Sequence, residues 1–301
     1  MRKLILISIG ALTLLAMPPL ASANTSNHQW SGWMDTFRGT DYPATKTNEA
    51  TDQMEASFKV PQVDEAQAKA AKLWCAPGIG TKCNQATFWA GLGGLWNSGW
   101  LNQKINGGSD HDPLIQTGIL ESYDSTRKAM YLPFWEVVPS PKVPFKAAAG
   151  AQTTWTFDPG VAVRPGDTVK VDVSIIPSCV GSTAAFMEII DQSQHNADWE
   201  QEFDIPQVVT PKTAELIAEK PSFVWKYTPT YLTPFKPVTM EGHVFVGQPP
   251  LGQQGTRVAM DAGHQPFKLR KYYQAQRNHT LIQTQNAGPH KFTEVFQRMA
   301  P

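Results

Sequence analysis

Hydrophobic and polar positions alternate along much of the chain. In Met54-Glu55-Ala56-Ser57-Phe58-Lys59-Val60-Pro61 and in Thr168-Val169-Lys170-Val171-Asp172-Val173-Ser174-Ile175 an apolar side chain recurs at every second position, the period of a strand with one face buried. Shorter apolar runs predict further strands over 88–92, 114–120, 129–138, 153–157, 184–190, 223–227, 238–246 and 257–260. Helical periodicity is confined to 64–73, where Ala, Lys, Glu and Gln dominate and neither Gly nor Pro intervenes. Many short strands separated by turn residues predict an all-β fold, an antiparallel β-sandwich of two packed sheets with little helix. Neither an internal repeat nor a long linker divides the chain.

The N-terminus stands apart from this pattern. Arg2 and Lys3 precede an apolar run over 4–15, followed by Pro18 and Pro19 and closed by Ala21-Ser22-Ala23. This is the layout of a secretory signal with an A-x-A cleavage site. Residues 1–23 are therefore expected to be removed, leaving a single domain over 24–301, periplasmic or secreted. No other stretch reaches 18 consecutive apolar residues, so stable membrane insertion is not expected. The chain has 26 Lys and Arg against 26 Asp and Glu; losing Arg2 and Lys3 makes this 24 against 26. Near-neutral charge without a basic block argues against a nucleic-acid partner. With 41% hydrophobic residues and 10 Trp, the chain buries enough apolar surface to fold, and a monomer is expected.

Export permits disulfides. Cys75 and Cys83 bracket a short loop containing Pro77, Gly78 and Gly80 and are expected to pair. Cys179, set in Ile175-Ile176-Pro177-Ser178-Cys179-Val180, reads as a small buried residue. Neither metal ligation nor a cofactor is expected, because the cysteines lack C-x-x-C pairing and nearby His. Asp110-His111-Asp112 reads as a solvated turn. Asp261-Ala262-Gly263 occurs once where an aspartic peptidase needs two copies, and Asn278-His279-Thr280 fits a glycosylation acceptor. Zinc-peptidase, nucleophile-elbow and phosphate-loop signatures are absent.

Several short segments, taken in order, resemble the glutamic peptidase (eqolisin) family. Trp30-Ser31-Gly32-Trp33 is similar to its W-A-G-Y, Phe58-Lys59-Val60-Pro61 to W-x-V-P, and Phe88-Trp89-Ala90-Gly91-Leu92-Gly93-Gly94 to F-W-V-G-I-D-G. Leu114-Ile115-Gln116-Thr117-Gly118 resembles the segment of the catalytic Gln, and Phe134-Trp135-Glu136-Val137-Val138-Pro139 resembles Y-E-W-Y-P. Val163-Arg164-Pro165-Gly166-Asp167 is similar to V-x-P-G-D. Ala214-Glu215-Leu216-Ile217-Ala218-Glu219-Lys220-Pro221 resembles A-E-W-I-x-E-x-P, in which the first Glu is catalytic, and a strand like L-x-x-F-x-x-V follows over 232–240.

The resemblance implies a cofactor-free acid endopeptidase acting on polypeptide, with Gln116 and Glu215 as the catalytic pair. Trp89, Trp135 and Glu136 are its next candidates, as lining of a substrate groove. Chemically, Glu215 could take a proton from water and return it to the leaving amine. Gln116 could donate to the oxyanion with a group that never titrates. Two positions depart from the pattern. Gly93 replaces an Asp that could orient Gln or water, and Leu216 replaces an aromatic platform. An alternative register sets Val224-Trp225 on the family's Glu-Trp and leaves no catalytic acid. Over 214–220 local propensity favours a short helix, and the resemblance alone makes it a strand. The competing classes are a non-catalytic sandwich binding carbohydrate or cell-wall material, and a glycosidase in which Glu121 or Glu136 joins Glu215. The insertion over 95–113 is expected to form a loop over the groove.

Overall fold

The computed structural model describes residues 24–27, 30–37, 51–71, 84–93, 114–123, 129–138, 156–157, 163–177, 183–194, 197–205, 211, 213–220, 222–223, 228–229, 231–246, 256–260, 267–276, 279–288 and 291–297. The strands are β1 (Asn24–Asn27), β2 (Trp30–Phe37), β3 (Thr51–Lys59), β4 (Asn84–Leu92), β5 (Leu114–Tyr123), β6 (Ala129–Val138) and β7 (Thr156–Phe157). They continue with β8 (Thr168–Pro177), β9 (Thr183–Asp191), β10 (Ala197–Ile205), β11 (Thr213–Glu219), β12 (Ser222–Phe223) and β13 (Thr228–Pro229). The last are β14 (Tyr231–Leu232), β15 (Val238–Val246), β16 (Thr256–Ala259), β17 (Phe267–Gln276), β18 (His279–Gly288) and β19 (Lys291–Phe296). The helix α1 (Glu65–Ala71) starts where Asp64 accepts a hydrogen bond from the Gln67 backbone N–H at 3.2 Å, the usual service of a capping Asp. No helix among the described residues is long and apolar enough to cross a membrane.

Two antiparallel sheets pack face to face. One runs β1-β17-β2-β11-β4-β5-β6-β7, with β14 beside the start of β4. The other runs β15-β3-β8-β9-β10, and β19 and β16 flank successive halves of β15 on its far side. Alternate side chains of both sheets fill the layer between them: Met54, Ala56 and Phe58 of β3, Val169, Val171 and Val173 of β8, and Phe88, Ile115 and Leu216 from the first sheet. Gly242 of β15 leaves room for this packing, since a Cβ there would meet Leu216 Cδ2 and Met260 Sδ at 2.8 Å.

The expected sandwich is present, and most predicted strands occur within a few residues of their predicted bounds. Of 153–157 only Thr156–Phe157 and of 223–227 only Phe223 fall in described strands; 153–155 and 224–227 lie outside the described residues. β1, β2, β10, β13, β17, β18 and β19 were not predicted. β18, HTLIQTQNAG, carries few apolar residues. It pairs with β17 and β19, and β17 pairs with β2.

The sheets are tied together by β18, which pairs with β17 on one side and β19 on the other. At that junction Ser31 Oγ lies 2.6 Å from Glu294 Oε2, Thr284 Oγ1 lies 2.8 Å from Glu294 Oε1, and the two hydroxyls are 2.9 Å apart. Both hydroxyls donate to the Glu294 carboxyl. Burial raises the Glu294 carboxyl to about 8, against the lowering effect of the two hydroxyls. Glu121, fully enclosed beside Tyr131, is raised well above the carboxylate range by burial alone.

On the outer face of the second sheet, cross-strand pairing sets His243, Glu55, Asp172, Glu188 and Glu200 in one row. Lys170 bonds Glu55 at 3.2 Å, and Gln53 Nε2 donates to Asp172 Oδ2 at 2.6 Å. Like charges facing each other across strands repel. Burial chiefly, with Glu55 and Glu188 adding to it, raises Asp172 to about 6; burial, then Glu200 and Asp198, raises Glu188.

A carboxyl whose pKa rises on folding stabilises the fold while it is protonated, and that contribution fades as pH climbs through the folded pKa. The melting temperature is therefore expected to be highest in acid and to fall from about pH 4 upward, through about 6 for Asp172 and about 8 for Glu294. Glu294→Gln, which imitates the protonated acid, should flatten the upper part of that fall. A wild-type melting temperature that rises between pH 5 and 8 would contradict the assignment.

Candidate active site

The middle of the first sheet brings the sequence candidates together. Glu215 of β11 pairs with Gly91 of β4, Gly91 with Gln116 of β5, and Gln116 with Glu136 of β6. Directly paired residues point to the same face, so Glu215, Gln116 and Glu136 stand in one row across four strands. They lie on the face turned away from the core between the sheets. Two strand spacings, about 10 Å, separate the backbones of Glu215 and Gln116, and between them Gly91 contributes no side chain. This leaves a gap over Gly91 that only the side chains of neighbouring residues can fill.

The row is closed to solvent: Glu215 is 0% exposed, and Gln116 and Glu136 are each 3%. Gln116 Nε2 donates to Glu136 Oε2 at 2.6 Å, while Gln116 Oε1 has no hydrogen-bond partner. The Glu136 carboxylate thus engages one N–H of the Gln116 amide and leaves the second available. On the same face, one pair along, lie Ile217, Trp89, Gly118 and Phe134. A Cβ on Gly91 would meet Trp89 Cζ3 at 2.8 Å, so the Trp89 ring leans over the gap between Glu215 and Gln116. Its indole Nε1 donates to Glu219 Oε2 at 2.9 Å, and this contact anchors the ring. Sequence reasoning had placed Glu219 only within a motif. Its i+4 spacing from Glu215, read there as one helical turn, also puts two strand residues on one face.

Other candidates are placed differently. Trp135 was expected in the groove with Glu136, but neighbours in a strand face opposite ways. It points into the core, its ring 4.2 Å from that of Phe203 and stacked on Trp199 at 6.1 Å between centroids. Leu216 likewise faces the core against β15, so an aromatic residue there would not have formed a platform beside Glu215. Glu121 lies on the core face too and is not positioned to join Glu215 in a carboxylate pair. Gly93 has φ +82° and is clipped to β11: its N–H donates to Thr213 O at 2.9 Å, and Thr213 Oγ1 donates to Gly93 O at 3.0 Å. The carboxylate that holds Gln116 comes instead from Glu136 on β6. Cys75, Cys83, Cys179, Asp110-His111-Asp112, Asp261-Ala262-Gly263, Trp225, the leader 1–23 and the insertion 95–113 lie outside the described residues.

Among the described residues, the group whose carboxylates approach one another closely enough to hold a metal ion is Glu188, Asp198 and Glu200. It sits on the outer face of the second sheet, across the sandwich from Gln116 and Glu215.

The profile of the Peptidase A4 family matches residues 36–260, a span that contains every residue of the row. The chain belongs to the Peptidase A4 family. Solved structures of similar fold include scytalido-glutamic peptidase with a transition state analog inhibitor, at 12% identity and TM-score 0.53. SCP-B, a member of the eqolisin family in a complex with the tripeptide Ala-Ile-His, matches at 12% identity and TM-score 0.51. Both alignments cover 91% of this chain and 100% of the other, and at such identity the likeness is one of fold. A search of curated proteins returned no significant match. As a Peptidase A4 member the protein is a glutamic-type peptidase, a hydrolase of polypeptides.

The gap over Gly91 is testable. Gly91→Ala would press on Trp89 Cζ3 at 2.8 Å and on Ile115 O at 3.1 Å. It is expected to cost about 1–3 kcal/mol of stability, as overpacking does, and to lower peptide hydrolysis even where the variant is fully folded. Denaturant unfolding and hydrolysis rates together check this; unchanged stability and unchanged rates would show that the ring does not occupy the gap.

Proposed function

We propose that this glutamic peptidase is an exported acid endopeptidase that works through Glu215 and Gln116. Glu215 is the general base and then the general acid. It takes a proton from a water held between it and Gln116 as that water attacks the scissile carbonyl, and it returns the proton to the departing amine. Gln116 stabilises the tetrahedral oxyanion through the N–H not engaged by Glu136, and its unpartnered Oε1 can accept a hydrogen bond from the attacking water. The observation that carries this reading is the shared row: two candidates 99 positions apart in sequence lie on one face, one strand apart, with bare backbone between them.

The remaining parts follow from the same geometry. Glu136 positions the Gln116 amide, and Trp89, tethered by Glu219, packs against the substrate. A Gln partner stays neutral in acid, where a His partner would be charged and unable to act as a base. Residues 1–23 act as the export signal, and residues 24–301 form the mature single-domain enzyme.

Hydrolysis of a denatured protein by wild type, Glu215→Gln and Gln116→Ala, side by side in acid, tests the pair. Glu215→Gln should fall to background with its fold intact, because no other group in the row is assigned to shuttle the proton. Gln116→Ala should lose roughly 10²- to 10³-fold, the usual loss for one oxyanion donor. Chelators and reagents directed at serine or cysteine should leave the wild type unaffected. Full activity in Glu215→Gln would overturn the assignment, and an inactive wild type would favour a non-catalytic binding sandwich.

A further inference from the structure

The face that carries Glu215 and Gln116 continues along β4 and β5 to a second set of polar side chains. Two and three same-face pairs along from Gly91–Gln116, the positions become Thr87 opposite Leu120 and Gln85 opposite Ser122. Gln85, Thr87 and Ser122 are fully buried, and neither Gln85 Nε2, Gln85 Oε1, Thr87 Oγ1 nor Ser122 Oγ has a hydrogen-bond partner. Folded proteins leave few buried polar atoms unpaired, because each gives up its water without compensation. Here four such atoms gather on one face of two adjacent strands.

Taking the Glu215–Gln116 pair as the centre of catalysis, we infer that Gln85, Thr87 and Ser122 form a remote subsite that binds neutral amide groups of the polypeptide substrate. The chemistry selects the ligand. The three side chains present two hydroxyls and one carboxamide, able to donate and to accept, and none carries charge; Glu219, the carboxylate opposite Thr87, is engaged by Trp89 Nε1. That set matches a peptide C=O and N–H, or the carboxamide of Asn or Gln, and it would leave a charged or apolar group uncompensated.

Distance fixes the place along the substrate. Thr87 is four residues from Gly91 and Ser122 six from Gln116, about 13 and 20 Å at the rise of a strand. An extended substrate lying along β4 and β5 therefore meets the subsite four to six residues from the scissile bond. Between the two ends it crosses an apolar bed of Trp89, Phe134, Ile217 and Leu120. The strip is as shut off from solvent as Glu215 itself, and a substrate that gains the one gains the other. Binding energy collected so far from the scissile bond favours long substrates over short ones.

The test compares kcat/KM on a long peptide, reaching six residues to each side of the cleaved bond, with that on a short one reaching two. The wild type should prefer the long peptide by at least about tenfold. Gln85→Leu and Ser122→Ala should remove most of that preference, each costing roughly 3- to 10-fold on the long peptide, the worth of one or two hydrogen bonds, with little change on the short one. Their melting temperatures should equal or exceed that of the wild type, because each removes an unpaired buried group. A long peptide of Ala at the distal positions, compared with one carrying Gln there, separates backbone from side-chain recognition. Equal kcat/KM of the variants and wild type on the long peptide, equal losses on both peptides, or a clear drop in melting temperature would overturn the subsite. Glu215→Gln, assayed in parallel, reports on the catalytic pair independently, since the long-to-short ratio does not depend on which group is the base.

Discussion

The register of four strands, β11, β4, β5 and β6, is the constraint on which the site depends. Cross-strand pairing puts Glu215, Gly91, Gln116 and Glu136 in one row, and a strand presents alternate residues to opposite faces. A slip of one residue in β11 would turn Glu215 into the core and bring Leu216 out beside Gln116. The core guards against this: Ala214, Leu216 and Ala218 all pack between the sheets, so the same alternation that buries apolar side chains on one face aims the polar ones from the other. Stability and chemistry are set by one geometric choice.

That economy has an electrostatic counterpart. Sheets in a sandwich ordinarily keep one face wet, but β4 and β5 are buried on both. Carboxyl groups that are enclosed, or crowded as Asp172 and Glu188 are, favour the protonated state. In acid Glu294 keeps the protonated form that burial favours, and the outer row does not repel itself.

Much of this was legible in the sequence. The alternation in 54–61 and 168–175 marked strands outright, and the ordered segments around Trp89, Gln116, Glu136 and Glu215 pointed to the residues that meet in the row. The sequence was less informative about facing. Trp135 and Glu136 were grouped because they are neighbours, yet the pleat makes neighbours diverge. β11 has the composition of a helix and is a strand only because β2 and β4 hold its backbone on both sides. β19, KFTEVF, is a short run whose Phe292 and Phe296 join the core, as does Ile282 of β18, but neither strand alternates over enough residues to announce itself. Glu219 and Glu294 were invisible as anchors because each acts through a partner far away in the chain, Trp89 in one case and Ser31 in the other.

The family profile ends at residue 260, but the folding unit does not. β17 is the outer neighbour of β2, and β19 pairs with half of β15, so the last strands fasten the first sheet to the second. The contact between Ser31 and Glu294 spans 263 positions. Such long-range closure is slow, because most of the chain must be in place before it forms. On a ribosome, the nascent protein would have its opening strands waiting for partners until synthesis was almost complete. A chain built this way stays unfinished for nearly the whole time it is being made.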